Sequence, residues 1–237
     1  MGEDPHNPSA ITVVINCLQL CKDFYQLHYS SFNSAKSALQ NVVTVQGCHL
    51  SMFKLLQDFM RGVLRDAPSL PKYSNIWDPQ VVLAHIDLWG PPHTLSLKLL
   101  TQKLLILLLL CSGQRLQTVF SFSLDGLDFT PDGFLFTIMK CLKRKKVGTV
   151  VQYKAFPQNV NLCPKQHLVQ YLHKSAEHRK SPQLFLSYQK PFEPVKQCTL
   201  SRWVTQVLHS SGIDTQIFKP HSTRAASTSG AARGGLR

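Results

Sequence analysis

Three groups of residues in this chain carry side chains suited to chemistry on a phosphate. The first is Arg115, in the segment CSGQR directly after Gly113 and at the end of a long apolar run. A guanidinium held at a helix end by a glycine turn can present its planar fork to two oxygens of one phosphate. The second is His221-Ser222-Thr223-Arg224, preceded by Lys219-Pro220. Pro220 suits a helix start, and residues three apart share a helix face, so His221 and Arg224 are expected to point together at the amino end of a helix. The third is Lys143-Arg144-Lys145-Lys146, within a stretch from Gly133 to Ala176 that holds eight basic residues and no acidic one. A run of this kind on a hairpin can lie along a phosphate backbone, and one of its lysines can protonate a leaving oxygen. Each group taken singly has a plainer reading: a helix-end arginine on carbonyls, a capping histidine beside a solvated arginine, or a solvated turn or nuclear-import signal.

The chain as a whole is biased the same way. Its 237 residues include 26 Lys and Arg against 13 Asp and Glu, a formal charge of +13, which favours a polyanionic partner. The bias is uneven: residues 1–72 carry +1 and residues 73–237 carry +12. The segment from Asp66 to Asp78, with Pro68 and Pro71, separates two apolar-periodic regions and is expected to be the linker between domains 1–72 and 73–237.

Upstream of it, Ile11, Val14, Ile15, Leu18 and Cys21 recur at helical spacing, as do Phe32 to Val42 and Phe53 to Val63, so the first domain reads as three helices. Ser9, Ser31 and Ser51 stand where N-caps are expected. Downstream, Asp78-Pro79 opens a short helix to about Trp89, and Leu95 to Cys111 reads as a helix apolar nearly all round, which belongs in a core. Leu124 to Phe156 alternates apolar runs with DG turns and reads as a small antiparallel sheet. Helical spacing returns at Pro164 to Lys174 and Leu200 to Leu208, with a strand-like LFLS (Leu184 to Ser187) between them. The fold class is therefore α+β and mostly helical.

Several other chemistries find no support in these residues. Cys163, His167, His173 and His178 fall close together in sequence but form no CxxC, and His167 and His173 do not share a helix face, so no metal site is expected. There is no GxSxG for serine-hydrolase chemistry. The eight-residue apolar run from Leu104 to Cys111 is short of the roughly 20 residues that span a bilayer. Seven irregularly spaced cysteines and an acidic amino terminus without a secretory pattern suggest reduced thiols inside a cell.

The order of the motifs adds what none carries singly. Apolar helix, GQR, basic hairpin and HSTR opening a helix resemble the catalytic domain of tyrosine recombinases, the phage-integrase-like family, and most of all the recombinases of DIRS-type and Crypton-type mobile elements. The words that carry the likeness are LSLKLLTQKLLILLLLCSGQRLQT (Leu95 to Thr118), LCPKQHLVQYL (Leu162 to Leu172), LSRWVTQVL (Leu200 to Leu208) and KPHSTRAASTSGAA (Lys219 to Ala232), while SAKSALQNVV (Ser34 to Val43) is similar to part of the family's helical, SAM-like core-binding domain.

This resemblance implies strand exchange on double-stranded DNA through a 3′-phosphotyrosine, with no metal or other cofactor consumed, in a nuclear protein of a mobile element working as a homo-oligomer. By motif, Arg115, His221 and Arg224 match the residues that cradle the phosphate, and Lys143 matches the hairpin lysine, with Lys145 and Lys146 as competitors. Lys140, Arg144, Lys145, Lys146, Lys154 and Lys219 are the expected duplex contacts. The family's nucleophilic tyrosine follows HxxR by a few tens of residues, whereas all six tyrosines here (25, 29, 73, 153, 171 and 188) precede His221. The catalytic domain is thus expected to be truncated and unable to cleave DNA unaided, and its carboxy-terminal helix, weakened by GAARGGLR, to fray. The alternative expectation is a non-catalytic DNA-binding or interaction protein derived from a recombinase.

Overall fold

The computed structural model describes residues 4–68, 73, 75–140 and 146–234. The chain divides into two compact units, Met1–Ser74 and Asn75–Arg237.

The first unit contains α1 (Ile11–Tyr25), α2 (Tyr29–Leu39) and α3 (Lys54–Asp66). Their apolar faces close over a core of Val14, Leu18, Phe32, Leu50, Leu56, Met60 and Val63. Between α2 and α3 lies a hairpin that the periodicity does not reveal, β1 (Thr44–Val45) with β2 (Cys48–His49). Its two-residue turn, Gln46-Gly47, has positive φ at both positions, the geometry that matches strand twist.

The serine caps expected in this unit are not formed. The N-cap positions are Ala10, His28 and Phe53, and none of them accepts a side-chain capping bond. Ser31 lies inside α2, because the chain is already helical from Tyr29. Ser51 sits in a 3₁₀ turn, where its own N–H donates to the His49 ring. Burial of each helix's apolar face, rather than cap chemistry, sets these starts.

The second unit is built around α5 (Leu97–Ser112), which is buried almost continuously from Leu100 to Leu110. Ser96 caps it by accepting from Leu99 N–H, and Gly113 ends it in the left-handed conformation. Before it, α4 (Pro79–Asp87) starts with Asp78 accepting from Gln80 N–H and proline at the first helical position. After it come α6 (Leu116–Phe120) and a three-stranded antiparallel sheet ordered β3 (Leu127–Thr130), β4 (Gly133–Thr137), β5 (Val150–Lys154). Alternation puts Phe134, Phe136, Val151 and Tyr153 into the core and Val150, Gln152 and Lys154 at the surface. Three further helices, α7 (Pro164–Ser175), α8 (Gln197–Ser210) and α9 (Ser222–Arg233), pack on α5.

One expectation fails in this unit, and a second falls partly outside the described residues. Leu184 to Ser187 is not a strand: it is irregular chain whose apolar residues are buried and whose pairing is limited to isolated bridges at Gln183 and Leu186. Its backbone bonds go elsewhere, with Leu184 N–H donating to Phe122 O and Leu186 N–H to the Tyr171 hydroxyl. Of the tail expected to fray, residues 235–237 lie outside the described ones, whereas α9 itself runs unbroken through Gly230 to Arg233. The reason is packing, since a Cβ on Gly230 would lie 2.9 Å from Pro79 Cγ, so the glycine permits close approach of α9 to α4.

Candidate functional site

Helix α5 delivers the first functional side chain. The left-handed turn at Gly113 reverses the chain, and Arg115 follows as the extended N-cap residue of α6, half-buried. Glycine is called for here by its φ of +58 rather than by space: a Cβ would make only ordinary contacts, 3.5 Å from both Ser227 Oγ and Thr228 Cγ2.

Helix α9 delivers the other two. His221 is its N-cap residue, so the helix begins at Ser222, two positions later than a start with Pro220 as the first helical residue would give. His221 and Arg224 are exposed, whereas Ser222 and Thr223 between them are buried, so the first turn shows one face to solvent and the other to the core. Thr223 Oγ1 donates to Pro220 O at 2.8 Å, and Ser227 Oγ donates to Leu110 O at 2.5 Å, tying α9 to the end of α5.

These two deliveries converge. Gln114, Arg115 and Leu116 from one side and Pro220, His221, Thr223 and Arg224 from the other line a single pocket of about 180 Å³. Two guanidinium groups and an imidazole thus border one small concavity, and no acidic side chain is among its lining residues. That arrangement suits a tetrahedral or trigonal oxyanion, with planar forks at its sides and a ring nitrogen able to donate.

We compared the chain with known proteins. No family model and no curated protein matches it. Solved structures do: the XerH site-specific recombinase bound to a palindromic difH substrate, post-cleavage, superposes with a TM-score of 0.60 at 15% identity, over 94% of this chain and 61% of that one. The fold is that of the tyrosine recombinase catalytic domain. The Tn1549 transposon integrase matches likewise, at a TM-score of 0.53 and 16% identity with its circular intermediate DNA, covering 99% of this chain and 76% of that one. Its complex with transposon right-end DNA gives 0.53 and 17%, covering 92% and 71%. The chain therefore spans about three fifths of the length of the XerH recombinase.

Within the recombinase fold the remaining sequence-identified residues are dispersed. Lys143, Arg144 and Lys145 lie outside the described residues. Lys146 is exposed at the β4–β5 connection, where its carbonyl accepts from Thr149 N–H and Oγ1, and Lys140 is exposed on the other arm of that connection. Lys154, opposite Gly133, lies at the far end of the same hairpin. Lys219 is exposed just before the pocket and donates to Thr215 O. None of the six tyrosines is among the pocket's lining residues. Tyr153 and Tyr171 are core residues, and burial holds both phenols above their ordinary range.

Among the described residues no three His, Cys, Asp or Glu side chains could together hold a metal ion, and no helix is long and apolar enough to cross a membrane. Sequence reasoning missed Thr223 as a lining residue. It also missed the buried bond from Trp77 Nε1 to Ser222 Oγ, which joins residues 145 apart and has no local signature.

Proposed function

We propose that the protein binds double-stranded DNA as a tyrosine-recombinase-like protein of a DIRS-type or Crypton-type mobile element, with Arg115, His221 and Arg224 clamping one backbone phosphodiester. The observation that carries this reading is the convergence of those three side chains, from segments more than a hundred residues apart, on one pocket without an acidic neighbour. The guanidinium groups engage the non-bridging oxygens and the imidazole donates a third bond, so charge building on the phosphorus centre is met by preorganised donors. Were a tyrosine nucleophile supplied to the pocket, Lys143, or Lys145 or Lys146 in its place, would be the group to protonate the 5′-oxygen that it displaces. Residues 1–72 act as a helical core-binding domain and 73–237 as the catalytic domain, the +12 charge of the latter supplying most of the affinity through counterion release.

The 237-residue chain is proposed to bind without reacting by itself, because none of its tyrosines lines the pocket. This favours, for this polypeptide alone, the second reading of a non-catalytic DNA-binding protein acting in the nucleus. XerH is described bound to its difH substrate and the Tn1549 integrase in complex with circular intermediate DNA, which supports the choice of DNA as ligand.

Gel shifts on duplexes of roughly 20 to 30 base pairs, about the span of one protomer, test the proposal. Binding is expected to weaken steeply between low and moderate salt. Arg115→Ala and Arg224→Ala are expected to weaken it further. Absence of a salt-sensitive shift overturns the DNA assignment. A boiling-resistant protein–DNA adduct on a nicked suicide substrate overturns the inactivity.

A further inference from the structure

We propose that Trp77 is a positioning residue for the phosphate pocket: by donating its indole N–H to Ser222 Oγ it fixes the start of α9, and with it the placement of His221 and Arg224 opposite Arg115. The proposal rests on the reading of that pocket as an oxyanion clamp. Its geometric basis is a 2.8 Å bond between a Trp77 that is 7% exposed and a Ser222 that is fully buried. Ser222 adjoins His221 and is two residues from Arg224. On a helix those offsets are about 100° and 200°, so a pin on the buried side determines where the solvent-facing pair points.

Such a pin matters to α9 because apolar packing by its own side chains holds it weakly in rotation. Its sequence is STRAASTSGAAR, and Ala226 is its only hydrophobic residue that is fully buried among the described ones. Large side chains interlock helices, whereas small ones allow close approach without fixing the angle about the axis. Specific contacts supply what packing does not: Ser227 reaches Leu110 O in the second turn, and residues 77–79 provide contacts at the two ends of the helix. Trp77 holds Ser222 in the first turn, the Pro79 ring meets Gly230 in the third, and Asp78 lies 3.7 Å from Arg233 at the end. Of these, the indole bond is nearest the pocket. Trp77 is itself held in place by immediately preceding Asp78, the cap of α4.

The consequence is a division of labour in which Trp77 touches no ligand and acts through α9. An angular change of about 10° at the helix would move a guanidinium several ångströms from the axis by roughly 1 Å, a displacement large enough to disable a preorganised site.

The test uses the full chain and orthovanadate as the anion probe, titrated calorimetrically, with circular dichroism and urea unfolding run alongside. Wild type is expected to bind vanadate in a manner strongly weakened, but still measurable, in Arg115→Ala. Trp77→Phe, which keeps the aromatic fill and removes the donor, and Ser222→Ala, which removes the acceptor, are each expected to weaken binding by roughly 3- to 10-fold, the scale of one lost buried hydrogen bond. The double variant is expected to be no weaker than either single one. In a His221→Ala/Arg224→Ala background, Trp77→Phe is expected to leave the residual affinity unchanged, which a general loosening of the fold would not. Undiminished vanadate binding in both Trp77→Phe and Ser222→Ala, or an equal loss in the His221→Ala/Arg224→Ala background, overturns the positioning role while the clamp stands. Failure of wild type to bind vanadate through Arg115 overturns the clamp and the positioning role together.

Discussion

The Tyr153 hydroxyl donates to Ser112 Oγ at 3.1 Å and also lies 3.2 Å from Leu108 O, joining the buried face of β5 to the last turn of α5. Ser112 in turn donates to Leu108 O at 2.6 Å, and its Oγ is 3.4 Å from Gln114 N, so the network ends one residue from Arg115. The sheet and the arginine-bearing turn are thereby one mechanical piece. The Tyr153 ring is held independently, stacked on Phe134 with centroids 4.9 Å apart.

Tyr153→Phe therefore separates the hydroxyl from the ring. The variant is expected to remain folded and to lose about 1 to 1.5 kcal/mol in urea unfolding, the net worth of a buried hydrogen bond. It is also expected to weaken duplex binding less than Arg115→Ala does, because only the support of the turn is altered. A stability equal to wild type would show that Ser112 and Leu108 satisfy each other without the phenol.

Two glycines next to the site are expected to respond differently to the same substitution. Gly113 has φ +58, and an added Cβ would meet only ordinary contacts at 3.5 Å, so Gly113→Ala is expected to cost roughly 1 kcal/mol from backbone strain alone. Gly230 is helical, where alanine is favoured by about 1 kcal/mol, but its Cβ would sit 2.9 Å from the rigid ring of Pro79. Gly230→Ala is accordingly expected to destabilise the native chain, and to stabilise a Pro79→Ala background by about 0.5 to 1 kcal/mol. Thermal or urea unfolding of wild type, Gly113→Ala, Gly230→Ala, Pro79→Ala and the Gly230→Ala/Pro79→Ala double variant checks these signs.

What the sequence displays and what it conceals follow the range of the forces involved. Asp78-Pro79 and Ser96 are legible because cap and helix are neighbours, and α5 is legible because eleven consecutive buried residues leave little else for such a run to be. Arg115, His221 and Arg224 were identifiable as separate phosphate-binding groups, but their meeting depends on α9 docking on α5. That docking uses Ser227 to Leu110 and Ser222 to Trp77, partners 117 and 145 residues apart. Small residues in α9 read locally as a weak helix, whereas in the fold they are what allows it to approach Pro79 and Gly113. Leu184 to Ser187 misleads for the converse reason: its composition is that of a strand, but its burial comes from α7, through the Tyr171 hydroxyl, and from Phe122, rather than from a sheet neighbour.

His167 supplies an acid-side prediction. Its ring is fully buried on α7, with Nδ1 2.9 Å from Cys163 O and Nε2 without a hydrogen-bond partner among the described residues. Burial pushes it down to about 4, the Cys163 carbonyl opposing and the Lys103 charge assisting. The unfolded chain takes up this proton near pH 6.5 and the folded chain only near 4, so the unfolded state binds more protons in between. The contribution is complete above about pH 6.5 and is lost as pH falls towards 4. Urea unfolding between pH 7 and 4.5 is expected to show a shallower decline in His167→Leu than in wild type; parallel declines would exclude the imidazole as the source.

Lys103 makes the complementary prediction on the alkaline side. It lies within the apolar helix α5, fully buried, with Nζ donating to Gly90 O at 2.8 Å. Burial lowers its ammonium to about 8, against the attraction of Asp87, while the nearby His167 stays neutral over this range. Below pH 8 both folded and unfolded chains hold the proton and the full penalty of burying a charge is present. Between about 8 and 10.4 the unfolded chain keeps a proton that the folded chain has released, so this residue's contribution to stability rises with pH, by up to about 1.4 kcal/mol per unit. Lys103→Met keeps the length of the side chain and removes both the charge and the bond to Gly90. The stability difference between wild type and Lys103→Met is therefore expected to shift in favour of wild type from pH 8 to 10, measured by urea unfolding at matched ionic strength. Taking the difference removes the titrations the two chains share, including the loss of stability expected as tyrosines ionise in the unfolded state above pH 10 while burial keeps Tyr153 neutral in the fold. A difference that stays flat would mean that Lys103 keeps its proton in the folded chain, with Gly90 O and Asp87 together compensating the loss of water.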